Sequence, residues 1–128
     1  MDLTQATGLT LDTGALLALE RGQERIRALL RVAVGREIAI PAGVVAQAWR
    51  GGPRQARIAR LIKQPETAVL ALDDDTARAV GLLCGRSGHG DVVDVAVVLC
   101  AREHRHAIVT SDPDDLRRVD PSVPLVPV

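Results

Sequence analysis

The sequence contains no phenylalanine and no tyrosine, and Trp49 is its only tryptophan. A hydrophobic core must therefore be built from aliphatic side chains, chiefly alanine, valine and leucine. The same scarcity excludes a nucleic-acid surface on which several bases stack on successive aromatic rings. We expect Trp49 to pack in the core or at an interface with a second copy or another protein.

Long apolar runs and cysteines are also scarce. No stretch approaches the roughly 18 consecutive apolar residues of a membrane-spanning helix, and the first residues lack the basic and apolar segments of a secretory signal. We therefore expect a cytoplasmic protein without membrane contact. Cys84 and Cys100 lie in apolar stretches, which favours reduced thiols in the core over a disulfide or a metal pair.

Neither sign of charge is in excess, because 16 Lys and Arg residues balance 16 Asp and Glu residues. A balanced chain has no overall field that draws it to nucleic acid, so any such attraction must be local. The 128 residues suit one hydrophobic core. We expect a single domain over residues 1–128.

Short apolar segments alternate along the chain with segments of helical periodicity. Strands are predicted at residues 8–13, 37–40, 67–72, 107–110 and 123–126, and helices at 14–20, 23–33, 42–50, 54–64, 76–84, 91–104 and 113–119. Because the strands are continuous apolar runs, the pattern predicts a parallel sheet covered by helices on both faces. We expect Pro41 to stop the second strand, residues 67–72 to be buried, and the last strand to lie at an edge.

Two aspartates, Asp91 and Asp94, open a predicted helix that is otherwise strongly apolar. Three residues apart, they lie on one face of the helix. Asp91 suits two roles equally, an N-cap or a ligand. Asp94 has valines on both sides and little access to open water, so a purely structural role explains it poorly.

Asp12 and Asp112 follow two other predicted strands at their carboxyl ends. In such sheets ligands bind beyond these ends, where the strand order reverses. If the two strands are neighbours there, both carboxylates face one crevice together with Asp91 and Asp94. So many negative charges require protons or a cation, and carboxylate oxygens suit Mg²⁺ or Mn²⁺. An ion held there can polarise a phosphodiester and activate water.

Four segments, taken together, have the order and spacing of a known family: residues 11–16 (LDTGAL), 41–50 (PAGVVAQAWR), 91–95 (DVVDV) and 109–116 (VTSDPDDL). Through them the sequence resembles the PIN-domain ribonucleases, in particular the VapC-like toxins of bacterial toxin–antitoxin pairs. The resemblance implies a three-layer α/β/α sandwich with a five-stranded parallel sheet. It also implies a Mg²⁺- or Mn²⁺-dependent endoribonuclease that cleaves an RNA substrate, forms a homodimer and is inhibited by a small cognate antitoxin.

The resemblance assigns catalytic positions to Asp12, Asp94 and Asp112, with Asp91 as an additional metal-binding acid. Supporting positions fall to residues that flank these acids: Asp115 as an alternative or outer ligand, and Thr13 and Ser111, whose hydroxyls suit a bound water, a phosphate or an N-cap. His89 lies near Asp91 in a glycine-rich loop, where a histidine without a role is the favoured interpretation.

One position departs from the family. Its members usually have an acid, commonly Glu, in the helix after the second strand, and the matching residue here is Gln47. The Gln47 amide oxygen can still accept a hydrogen bond from water on the ion, but one negative charge is lost. We therefore expect weaker metal binding. Reduced or lost nuclease activity is the alternative that this residue raises.

One basic cluster interrupts the balanced charge: Arg50, Arg54, Arg57, Arg60 and Lys63. From Arg54 onward the spacing of three places these side chains along one helix. The simplest interpretation is a solvated face opposite an apolar one. The functional interpretations are contacts with RNA phosphates or with an acidic segment of an antitoxin.

Rival functions can be compared with the same residues. An aspartyl-nucleophile phosphatase normally has a second Asp two residues after the first, where this chain has Gly14. A Rossmann nucleotide-binding domain requires a glycine-rich turn after the first strand, which is lacking here. The stronger rival is a PIN-like module that binds RNA or a protein with weak or no nuclease activity, because Gln47 replaces the usual acid.

Overall fold

The computed structural model describes residues 5–128, in which a five-stranded parallel sheet has the order β3-β2-β1-β4-β5. The strands are β1 (Gly8–Leu11), β2 (Glu37–Pro41), β3 (Thr67–Leu70), β4 (His106–Thr110) and β5 (Leu125–Pro127). The α-helices of this range are α1 (Thr13–Glu20), α2 (Glu24–Val32), α3 (Ala42–Ala48), α4 (Ala56–Lys63), α5 (Asp74–Ser87), α6 (Val92–His104) and α7 (Pro113–Val119). A short 3₁₀ turn, Pro53–Gln55, precedes α4.

The path of the chain through the sheet separates the helices into two layers. From β1 the chain steps to β2 and β3 on one side, and it then returns to β4 and β5 on the other. Because crossovers between parallel strands are right-handed, α1 to α4 cover one face and α5 to α7 the opposite face. The fold is the predicted three-layer α/β/α sandwich.

The strand order reverses between β1 and β4, and these two strands pair directly. Gly8 lies opposite His106 and Leu11 opposite Val109. The predicted convergence of Asp12 and Asp112 requires the first and fourth strands to be neighbours, and the pairing confirms that they are. The carboxyl ends of β1 and β4 therefore open into one crevice.

The core is aliphatic, as the absence of phenylalanine and tyrosine requires. β1 and β4 are buried along their whole length, and large buried side chains include Leu11, Ile40 and Ile108. β3 differs, because it is an edge strand on which Val69 is 42% exposed. The prediction of a buried strand at residues 67–72 is therefore wrong. Helix α6 packs on β1, β2 and β4 and leaves β3 partly open.

Several boundaries differ from prediction for local reasons. Pro41 is the last residue of β2 and pairs with Leu70, so the strand ends at Pro41 and not at the predicted residue 40. Helix α5 is longer than predicted because Asp73 caps it, accepting from the Thr76 N–H at 2.9 Å, and Gly88 ends it with φ of 72°. The glycine-rich segment at residues 85–90, expected from the sequence as a turn, is therefore helical as far as Ser87. Helix α3 ends at Ala48, short of the predicted residue 50.

The remaining composition-based expectations have mixed outcomes. Trp49 is 41% exposed at the end of α3, which excludes the core position and leaves the predicted interface position as the alternative. Cys84 and Cys100 are both free thiols, Cys100 being buried. The last strand lies at an edge of the sheet as expected. Within residues 5–128, every helix is too short or too polar to span a bilayer.

Candidate active site

Asp12 lies at the switch point, directly after β1, and it caps α1. Its Oδ1 accepts from the Ala15 N–H at 2.8 Å, and its side chain is mostly buried, the residue being 7% exposed. Burial raises the pKa of Asp12 above its ordinary value, and the negative charges of Asp94 and Asp112 raise it further. Hydrogen bonds from Thr110 and Ala15 act in the opposite direction. A buried carboxylate beside two further acids is costly unless it meets a proton or a cation.

Thr110, the last residue of β4, connects two of the predicted acids. Its fully buried hydroxyl accepts from the Asp112 N–H at 2.8 Å, and it also lowers the pKa of the Asp12 carboxyl group. Thr110 has no role among the residues predicted from the sequence. Its position at the carboxyl end of a central strand, two residues before Asp112, is the signal that was available.

Asp94 lies in the first turn of α6, three-quarters buried, and faces the same crevice. Burial raises the pKa of its carboxyl group, and the charges of Asp91 and Asp115 add to this effect. Its Oδ2 lies 3.1 Å from His89 Nε2, and this hydrogen bond lowers the pKa. The geometry agrees with the expectation that Asp94 is not a solvated helix residue.

Asp91 is the N-cap of α6, one of its two predicted roles. Its Oδ1 accepts from the Val93 N–H at 2.9 Å and from the Asp94 N–H at 3.1 Å. The side chain is exposed, and its charge acts on Asp94. Capping thus accounts for one oxygen of Asp91, and the other remains for a ligand.

Asp112 and Asp115 lie where β4 passes into α7. Asp112 occupies the N-cap position of α7, but its exposed carboxylate makes no capping hydrogen bond. Asp115 forms an ion pair with Arg118 at 3.0 Å, and its charge also reaches Asp94. Of the two carboxylates, Asp112 is therefore the more available to bind an ion, because Asp115 is already paired with Arg118.

Thr13 and Gln47 meet at the edge of the crevice. The Thr13 hydroxyl donates to Gln47 Oε1 at 2.5 Å, which joins the start of α1 to the end of α3. Thr13 is thus not an N-cap, since Asp12 fills that position. The contact also occupies the amide oxygen that was expected to face water on an ion.

Ser111 packs against the backbone of Gly14. A Cβ atom at position 14 would lie 1.8 Å from Ser111 Oγ, so only glycine fits there without displacement of the serine. This close approach brings the loop after β4 onto the first turn of α1. An aspartate at position 14, which the phosphatase chemistry normally needs, has no room in this arrangement.

The acids gather at one end of the sheet but do not form a compact cage. Within residues 5–128, no three Asp, Glu, His or Cys side chains are close enough to hold one ion between them. The available ligands nevertheless fit a hard divalent cation. The acids whose charges raise the pKa of Asp12 and Asp94 all offer carboxylate oxygens and negative charge. Mg²⁺ usually keeps several waters and takes only one or two carboxylates directly.

The basic cluster lies on the exposed side of α4 and its approach, opposite the buried Ile58 and Leu61. Two of its members are bound to backbone carbonyl groups. The Arg50 guanidinium donates to the oxygens of Ala46 and Trp49, and that of Arg57 to the oxygen of Glu20.

Three shallow grooves adjoin one another along the basic cluster. Gln47 and Arg54 line the first, Arg54, Arg57 and Arg60 the second, and Arg57, Arg60 and Gln64 the third. Because neighbouring grooves share residues, they form one surface track that begins at the edge of the crevice. We call this surface the arginine track.

Comparison with known proteins identifies the family of the chain. The family model described as the PIN domain matches residues 9–121. The chain belongs to the PIN domain family. The match spans β1 to α7, and so includes all the acids of the crevice. No curated protein matches the sequence significantly.

Solved structures share the PIN fold at low sequence identity. VapBC2 from Rickettsia felis, bound to a DNA fragment from its promoter, has a TM-score of 0.68 at 16% identity, covering 94% of this chain and 98% of that one. A toxin–antitoxin complex from Klebsiella pneumoniae gives 0.65 at 16%, covering 93% and 96%. FitAcB from Neisseria gonorrhoeae gives 0.62 at 18%, covering 91% and 95%. At such identities the likeness concerns the PIN fold alone.

Proposed function

We propose that residues 1–128 form one PIN-like domain that acts in the cytoplasm as the toxin of a type II toxin–antitoxin module. Its activity is that of a Mg²⁺- or Mn²⁺-dependent endoribonuclease. The observation that carries the proposal is the buried Asp12, whose carboxylate lies under the influence of Asp94 and Asp112 at the switch point of a PIN domain. A buried carboxylate with acidic neighbours binds a cation more favourably than an exposed, solvated group of acids does.

The residues of the crevice have different proposed roles according to their positions. Asp12, Asp94 and Asp112 are the candidates to hold the ion, with Asp91 and Asp115 as further acids at the rim. A bound ion supplies Lewis acidity that polarises a phosphodiester and makes an attacking water more acidic. Thr110 lies between Asp12 and the loop of Asp112, and the Ser111 hydroxyl is available to orient a phosphate or water. The Thr13 hydroxyl donates its proton to Gln47, so it can only accept a hydrogen bond, as from a water.

Asp94→Asn should abolish RNA cleavage. Loss of one carboxylate that holds the ion removes about 4 kcal/mol of transition-state stabilisation, or about 1,000-fold in rate. The measurement is cleavage of structured RNAs by purified wild-type and variant protein with Mn²⁺, with a chelator as control. Cleavage that persists in the variant would point to a contaminating nuclease and contradict the assignment.

Gln47→Glu should tighten Mn²⁺ binding about tenfold, the effect of about 1.4 kcal/mol of added attraction. The contact with Thr13 keeps position 47 beside the residue that follows Asp12. Isothermal calorimetry of the metal-free proteins measures the effect. Gln64→Glu, which adds the same charge at the far end of α4, is the matched control. Equal Mn²⁺ affinity in Gln47→Glu and wild type would remove residue 47 from the site.

The arginine track is proposed to contact RNA phosphates. Arg60→Ala should then lower the slope of log affinity against log salt by about one unit, whatever the base sequence. Arg78→Ala removes the same charge from the opposite helical layer, where Arg78 pairs with Asp74, and should leave the slope unchanged. Binding of an Asp94→Asn protein to labelled RNA over a range of salt concentrations measures both. An Arg60→Ala slope equal to that of wild type would reject the contact.

A small cognate antitoxin and a homodimer complete the proposal. Support comes from the structural neighbours, which include a toxin–antitoxin complex from Klebsiella pneumoniae and two structures bound to DNA fragments. The arginine track also suits an acidic segment of such an antitoxin by charge. A short adjacent reading frame encoding a DNA-binding protein is the simplest check of the module.

The second candidate function is a PIN-like module that binds RNA or protein with weak or no cleavage. The observation in its favour is Gln47, which lacks the usual charge and whose amide oxygen is engaged by Thr13. The cleavage assay separates the two functions, since a binding module retains RNA affinity but shows no Mn²⁺-dependent products.

A further inference from the structure

His89 contacts the central acid of the crevice. It lies in the loop between α5 and α6, and its Nε2 is 3.1 Å from Asp94 Oδ2. The side chains are 15% exposed for His89 and 25% for Asp94, so the contact is shielded from bulk water on most sides. A histidine without a role in a solvated loop would show neither the burial nor the partner.

The chemistry of the pair defines the direction of the hydrogen bond. An ionised carboxylate only accepts, so Nε2 carries the proton and donates it to Oδ2. Oδ2 of Asp94 is thereby occupied by the hydrogen bond from His89. Within the part of the chain that the structure describes, Oδ1 has no hydrogen-bond partner, so the second oxygen of Asp94 remains free for a cation.

The loop around His89 is shaped by its neighbours. Gly88 turns the chain after α5 with φ of 72°, a conformation that side-chain-bearing residues rarely adopt. The His89 N–H then donates to Ser87 Oγ at 3.2 Å. Two residues later Asp91 caps α6 through its side chain. The backbone segment that carries the imidazole is thus held on both sides by local hydrogen bonds, which is the arrangement that a positioning group requires.

We propose that His89 is a positioning residue for the metal site, which holds the Asp94 carboxylate so that its free oxygen faces the ion. This inference rests on the proposed function, because it requires that Asp94 hold a divalent cation. Hydrogen-bond partners of ligating groups fix ligand orientation, and their loss typically lowers metal affinity 10- to 100-fold. His89 acts through Asp94 and needs no contact of its own with RNA.

The test compares Mn²⁺ binding by calorimetry in four metal-free proteins: wild type, His89→Ala, His89→Gln and His104→Ala. His89→Ala should bind Mn²⁺ about 10-fold more weakly or worse. His89→Gln, whose amide can also donate from its terminal nitrogen, should recover most of the affinity. His104→Ala changes an exposed histidine at the other end of α6 and should bind as wild type does.

The outcomes that overturn the inference are distinct from those that overturn the proposed function. Wild-type affinity in His89→Ala, or equal weakness in His89→Gln and His89→Ala, would exclude positioning through the N–H group. A wild-type protein that binds no Mn²⁺ would overturn both proposals. Circular dichroism of the metal-free variants verifies that lost affinity does not reflect lost folding.

Discussion

Asp12→Asn should lower RNA cleavage by about 1,000-fold, by the same loss of transition-state stabilisation as at Asp94, while the metal-free protein becomes more stable at neutral pH. The two effects have one cause. Asparagine keeps the shape of aspartate and can still accept from the Ala15 N–H, so the cap of α1 survives. What disappears is a buried negative charge that the fold tolerates for the sake of the site.

The pH dependence follows from the direction of the shift. Burial raises the pKa of Asp12 above its ordinary value of 3.8. Below pH 3.8 the carboxyl group is protonated in the folded and unfolded states, and its full contribution to stability is present. As pH rises through the raised pKa, the folded state must hold the charge and that stability is lost. The advantage of Asp12→Asn should therefore grow from acid to neutral pH.

Asp73→Asn is the matched control, because Asp73 also caps a helix but is fully exposed. The backbone hydrogen bond from Thr76 lowers its pKa, so its charge stabilises the fold above pH 3.8 and this contribution is lost in acid. The replacement should destabilise the protein at neutral pH, opposite to Asp12→Asn. Urea unfolding with chelator at several pH values measures both. A metal-free Asp12→Asn protein less stable than wild type at pH 7 would contradict the assignment of Asp12 as a buried carboxylate whose charge destabilises the fold.

Gly8→Ala should be the most destabilising small substitution outside the crevice. A Cβ atom at Gly8 would lie 2.3 Å from the Glu37 carbonyl oxygen and 2.9 Å from His106 Nε2. The nearer atom belongs to the backbone of β2, so relief requires the two central strands to move apart. Overpacking of this kind typically costs about 1–3 kcal/mol and occasionally more, and we expect about 3 kcal/mol here.

Gly81→Ala provides the comparison for Gly8→Ala. Gly81 lies exposed within α5, and a Cβ atom there has no neighbour within 4 Å. The substitution should raise stability by up to about 1 kcal/mol through helix propensity. Thermal unfolding of both variants in the same buffer separates steric crowding from the general effect of replacing glycine. A melting temperature of Gly8→Ala equal to that of wild type would show that β1 and β2 can separate without cost.

Local signals in the chain predicted most of the helices and strands. Periodicity located α2 and α6, and the continuous apolar runs indicated a parallel sheet. The ends of helices and the exposure of strands were less predictable where contacts with other segments determine them. Ser87 belongs to a helix because the chain turns only at Gly88. Val69 is exposed because β3 is an edge strand that α6 leaves partly open.

The candidate site was predictable in part, for a comparable reason. Asp12, Asp94 and Asp112 stand out in sequence because each interrupts or ends an apolar segment. Thr110 and His89 do not, since a hydroxyl inside a strand and a histidine in a glycine-rich loop have many possible environments. Their partners become visible only when β4 and the start of α6 are placed beside Asp12 and Asp94.

By itself the sequence determined the kind of fold, the aliphatic core and the acids available for a metal site, because hydrophobic pattern and residue chemistry are local properties. Tertiary structure alone decided that β1 pairs with β4, which brings Asp12 and Asp112 to one crevice. It also decided that one oxygen of Asp94 is committed to His89, and that Gln47 turns its amide oxygen to Thr13. These are contacts between segments distant in the chain or across a turn, and their distances depend on how the whole sheet and its helices pack.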